Sequence, residues 1–176
     1  MNYLSMTTST NPLLDNPPAG LKRLYYANMN NNFNQINRMA FGWYLEKSGF
    51  DSNIPWALYY LVAEWEPFKD FAVSGQLSLL NAAYVFPTAD KPVPTLKFIA
   101  AAAGVADLRY IETLKDMIKN SPNTIASKKA EAELKKMLDV FDIYNPQGNQ
   151  SKNYKIPPLQ YDIMRDRLQK LILSLQ

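Results

Sequence analysis

Residues 41–57 read FGWYLEKSGFDSNIPWA, and this stretch decides the fold class. Upstream of it, Phe33, Ile36, Ala40, Trp43 and Tyr44 recur at helical spacing through Lys47. An Asn cluster, Asn28 to Asn34, stands where an N-cap is wanted, and Gly49 supplies the C-terminal stop. Asn53 to Tyr60 then reads as a buried strand. Pro55 cannot donate to a ladder, so it belongs near a strand end or a bulge. Helix followed at once by buried strand is α/β order. In such folds the residues at the strand ends face ligands. Trp56 is therefore the leading candidate.

Outward from this stretch, Tyr3 to Met6 and Leu24 to Ala27 read as two earlier strands. Between them, Asn11 to Gly20 carries Pro12, Pro17 and Pro18 and reads as a connection. Glu64 to Gly75 reads as a loop, Gln76 to Phe86 has strand character, and Pro87 to Pro94 is a turn-rich connection. Thr95 caps a predicted helix to about Lys119, with Leu96, Ile99, Ala103, Leu108, Ile111, Leu114 and Ile118 inward. Gly104 inside it costs about 1 kcal/mol relative to Ala, which calls for close packing or a break. A second helix is expected over 127–141, with Ala130, Leu134, Leu138 and Phe141 on one face. A third follows Pro157-Pro158, with Leu159, Ile163, Leu168, Leu171, Ile172 and Leu175 inward.

Composition excludes several chemistries. The 176 residues contain no Cys and no His. That removes disulfides, Cys or His metal sites, and any nucleophile activated by a His base. No cofactor and no metal is expected. The net charge is +3, with five basic and six acidic side chains in 1–80 and the basic excess in 81–176. That excess is Lys interleaved with Glu on predicted helices, as in Lys128-Lys129 with Glu131 and Glu133, which is a solvated face and not a nucleic-acid stripe. The N-terminal residues lack a signal peptide's basic and apolar regions, and no apolar run approaches 18 residues, so no membrane span is expected.

Two segments carry a family resemblance. GWYLEKSGFDSNIPWA resembles a segment near the C-terminal end of bacterial glycoside-hydrolase-like (β/α)8 barrels, the group that includes β-N-acetylgalactosaminidases and related families of undefined activity. Their pattern is a Gly-Trp-Tyr helix, Lys-Ser-Gly-x-Asp-Gly, and a strand with Trp-Ala-Tyr. The second segment is Tyr84-Val85-Phe86-Pro87, Lys91-Pro92-Val93-Pro94-Thr95 and Gly104-Val105-Ala106-Asp107. It is similar to the group's strand ending in Tyr-Pro, its Gly-Pro-Val-Pro-Ser turn, and a helix with Arg-Glu-Gly-x-x-Asp. The likeness covers about residues 1–120. Ser52, Leu58 and Ala102-Ala103 depart from the pattern.

The resemblance implies the last strands and helices of a barrel over 1–120, followed by a helical tail over 121–176. A complete barrel takes about 250 residues. The expectation is therefore a C-terminal part that supplies a sugar-binding rim, while the catalytic carboxylates lie in the family's earlier strands. Family members are often secreted or periplasmic. The implied partner is an oligo- or polysaccharide, and the open strand edges call for the missing barrel half or a second copy of the chain.

The candidate rim is Trp56, on the strand face shared with Ile54 and Leu58, together with Tyr26 and Asn28 from the preceding strand and Tyr59, Tyr60, Glu64 and Trp65 beyond. Glu64, Glu66 and Asp70 invite the two-carboxylate mechanism, which needs carboxyls about 5–10 Å apart across a sugar. Proximity on one loop does not supply that, and they read as solvated acids. Asp51, Asp90 and Asp107 read as turn or cap residues. The competing reading is a non-catalytic helical accessory or protein-interaction module.

Overall fold

A computed structural model describes residues 2–6, 18–27, 34–55, 84–86, 90–122, 124–141 and 155–176. The fold is mixed and helix-rich. Three strands, β1 (Asn2–Met6), β2 (Leu21–Ala27) and β3 (Ser52–Pro55), form one parallel sheet in chain order. Pro55 closes β3, where its missing N–H costs the ladder least.

Parallel neighbours need a crossover, and helices α1 (Asn34–Phe41) and α2 (Trp43–Ser48) provide the one between β2 and β3. The sequence predicts one helix here. The structure breaks it at Gly42 (φ −131°, ψ −95°). The cause is a close crossing with α3 (Leu96–Asn120). A Cβ on Gly42 would lie 2.5 Å from the Gly104 carbonyl oxygen, and one on Gly104 would strike the Arg38 carbonyl oxygen. The close packing expected at Gly104 is thus a glycine-on-glycine contact. The predicted stop at Gly49 holds, with φ 68° and its N–H on the Leu45 carbonyl at 2.9 Å.

Between the sheet and α3, two short strands, β4 (Val85–Phe86) and β5 (Val93–Pro94), pair antiparallel. Sequence reading missed this hairpin. It is tied to the start of α3: both Thr95 N–H and Thr95 Oγ1 donate to the Tyr84 carbonyl at 2.9 Å. Thr95 Oγ1 also accepts from Phe98 N–H, the cap expected from sequence. Two further helices follow, α4 (Ile125–Leu138), capped by Thr124 on Ser127 N–H at 3.0 Å, and α5 (Pro158–Leu173), with proline in its first turn.

One apolar cluster joins these helices. Ile36, Met39 and Trp43 pack with Ile111 and Leu114 of α3, Ala130 and Leu134 of α4, and Tyr161, Met164 and Leu168 of α5. Trp43 stacks on Phe141 at 5.7 Å. Tyr25 of β2 meets Tyr44 at 4.7 Å and Phe50 at 5.6 Å, which seats the sheet on α2.

Ile111, Leu114 and Leu168 are buried as expected, but the first turns of two helices differ from expectation. On α3, Leu96 and Ile99 are 67% and 54% exposed, while Lys97, Ala101, Gly104 and Asp107 are buried. On α5, Leu159 and Ile163 are exposed, and Tyr161, Met164 and Leu168 are buried. Both helices are turned so that a charged cluster, described next, lies between them. No helix among the described residues is long and apolar enough to cross a membrane.

Candidate functional site

Strand register brings the ends of β2 and β3 together. Tyr25 pairs with Asn53, Tyr26 with Ile54, and Ala27 with Pro55. Side chains alternate across a strand. Tyr25 and Asn53 face the helices, since Tyr25 packs on Tyr44 and Asn53 Nδ2 donates to the Ala40 carbonyl at 3.3 Å. Ile54 therefore points to the opposite face, where it is 39% exposed.

Of the predicted rim, Tyr26 lies in β2, one residue from its end. Its side chain is outside the described residues, as are Asn28, Trp56, Tyr59, Tyr60, Glu64 and Trp65 in full, together with Glu66, Asp70 and the predicted strand over 76–83. Asn28 and Trp56 directly follow the last residues of the paired strands β2 and β3.

The strands enter through a second anchor. Asp51 accepts from Arg23 N–H at 2.7 Å and from Lys22 Nζ at 3.0 Å, and Asp51 N–H returns to the Arg23 carbonyl at 2.9 Å. The backbone donor, then the lysine, hold its carboxyl below the usual range. Arg23 also donates to the Gly49 carbonyl. The expected turn role of Asp51 matches this geometry.

Asp107 is a correction. It is no cap: it lies in the middle of α3, fully buried. Its Oδ2 accepts from Arg38 Nε at 2.7 Å and Trp43 Nε1 at 3.0 Å. Its Oδ1 accepts from Arg38 Nη2 at 3.1 Å and Arg165 Nε at 2.5 Å. Four donors use the roughly four lone-pair sites of a carboxylate. With these acceptor sites filled by side chains from α1, α2 and α5, this acid is a structural clasp.

Its partners are held in turn. Arg38 Nη1 reaches Asp162 at 2.6 Å, and Arg165 Nη2 donates to the Ala103 carbonyl at 2.7 Å. Burial alone would lower the pKa of Arg38; hydrogen bonds to Asp107 and Asp162 outweigh it and hold the guanidinium above its ordinary value. Arg38 also lies over the Tyr161 ring, 5.5 Å from its centre.

A second polar contact sits at the hairpin. Tyr84 Oη donates to Asn37 Oδ1 at 2.5 Å, both side chains being buried. Burial pushes the Tyr84 phenol well above its ordinary pKa. At the start of α3, burial lowers the Lys97 amine to about 8.

Sequence reasoning missed Arg38 and Arg165 as members of this cluster. The signal was present in the two anchor segments. Gly42-Trp43 and Gly104-x-x-Asp107 meet face to face, glycine on glycine and indole on carboxylate. These pattern residues are scaffolding. No protein-family model, curated protein or solved structure matches this chain.

Proposed function

We propose that this chain supplies the closing strands and the sugar-binding rim of a glycoside-hydrolase-like (β/α) barrel, and not its catalytic carboxylates. The observation that carries the reading is the parallel sheet itself: three strands laid down in chain order, with the ends of β2 and β3 in register at Ala27 and Pro55. Ligands of α/β sheets bind beyond the carboxyl ends of adjacent strands. Trp56 and Asn28 follow those ends in sequence.

In this reading Trp56 is the platform on which a sugar ring stacks. Tyr26, Tyr59, Tyr60 and Trp65 extend the aromatic floor, and Asn28 and Glu64 take hydroxyls. Two further features support it. Ile54, on the sheet face away from the helices, is 39% exposed. Asp107, the fully buried acid of the second motif, has four donors on its carboxylate, which supports a structural and not a catalytic role for it.

The test is calorimetric titration of the intact chain with oligosaccharides, including ones ending in N-acetylgalactosamine. Saturable binding that is lost in Trp56→Ala, at unchanged helix content, is expected. Absence of binding to every oligosaccharide, or binding untouched by Trp56→Ala, overturns the proposal and favours a helical interaction module.

A further inference from the structure

The starts of three helices meet around a cavity of about 370 Å³. Gln35 of α1, Leu96 at the first position of α3 and Pro158 at the first position of α5 all line it. The volume lies in the roughly 300–1,000 Å³ range of small-molecule sites. The walls are mostly apolar, and Leu96 and Ile99 are largely exposed although both line it. Few polar groups accompany them: the Gln35 amide, the Arg38 guanidinium and Tyr161. Tyr161 is fully buried, and its hydroxyl has no hydrogen-bond partner among the described residues.

This lining selects against a sugar. Several hydroxyls would be stranded on apolar walls without hydrogen-bond partners. It also selects against a dianion. Arg38 and Arg165 are balanced by Asp107 and Asp162, so the cluster has no surplus charge. The two acids are not equivalent, however. Asp107 is fully buried and saturated, whereas Asp162 has a side chain 60% exposed and holds Arg38 by one bond to Nη1. An exposed partner of this kind is weakly held. Displacing it frees one positive charge for one negative charge.

We infer that this cavity binds a small monocarboxylate with a compact apolar body, whose carboxylate replaces Asp162 on Arg38 while its body covers Leu96 and Ile99. The inference does not rest on sugar binding at the strand ends. It places a second site among the helix starts.

The probe is hexanoate, with hexanol as its neutral counterpart, titrated into isotopically labelled protein and followed by amide chemical shifts. Saturable shifts at the starts of α1, α3 and α5 are expected, with hexanoate binding about tenfold more tightly than hexanol. Asp162→Asn removes the competing carboxylate at an exposed position, and is expected to tighten hexanoate severalfold while leaving hexanol unchanged. Ala100→Phe fills the cavity and is expected to abolish both. No saturable binding overturns the inference. So does equal affinity for hexanoate and hexanol, or an Asp162→Asn variant that binds hexanoate no better.

Discussion

The crossing of α1 and α2 with α3 and the paired ends of β2 and β3 are built on opposite plans. At the crossing every polar atom of Asp107 is used, backbones touch at Gly42 and Gly104, and the side chains are buried. At the strand ends the described parallel ladder runs to Ala27 and Pro55, and Ile54, on the face away from the helices, is 39% exposed. Saturation gives rigidity. In the proposed reading the residues that follow the strand ends are left to bind, so the motif residues divide into those that hold the fold and those that take the ligand.

The largest effect is expected from breaking the clasp. Asp107→Ala removes the acceptor of the buried Trp43 indole N–H and the shared partner of two part-buried guanidiniums, which keep only Asp162 and the Ala103 carbonyl, and should cost about 2–4 kcal/mol. Urea denaturation checks this; a loss under 1 kcal/mol would mean the clasp is not what joins α1, α3 and α5. Next comes Gly104→Ala. Helix propensity favours Ala by about 1 kcal/mol, but the new Cβ strikes the Arg38 carbonyl. Overpacking of about 1–3 kcal/mol should win, giving net destabilisation. A stabilised variant would contradict the close crossing.

The smallest effect lies at the helix start and depends on pH. The Lys97 amine, lowered to about 8 from 10.5 by burial, is favoured neutral in the folded state. Between these values the unfolded chain binds more protons, so stability rises with pH through that window. Relative to Lys97→Met, the native chain should gain about 1–2 kcal/mol from pH 8 to pH 10, allowing for solvent near the side chain. Parallel stability profiles for the two proteins would contradict this.

Much of the framework was legible in the residues. The strands at 3–6 and 24–27, the described part of the one read over 53–60, the Gly49 stop, the Thr95 cap and the Pro157-Pro158 helix start rest on local chemistry, which a sequence displays directly. The outward turn of Leu96, Ile99, Leu159 and Ile163 was not legible. Periodicity alone puts these apolar residues inward, but at this end of the helices buried positions go to Asp107 and its partners Arg38 and Arg165, 69 and 58 residues away. Such long-range ion pairs leave no local pattern. The break at Gly42 and the β4–β5 hairpin were missed for related reasons: one depends on a glycine 62 residues downstream, the other on a two-residue ladder too short to show alternation. Of the candidate rim only the Tyr26 backbone falls in a described strand.

The division between clasp and rim is tested most directly by measuring oligosaccharide affinity and unfolding midpoint together for two tryptophan variants. Trp43→Phe removes the indole N–H from Asp107 and should cost about 1–3 kcal/mol of stability while sugar affinity stays unchanged. Trp56→Ala should lose sugar binding and keep its midpoint. Loss of sugar affinity in Trp43→Phe with Trp56→Ala still binding would contradict the account.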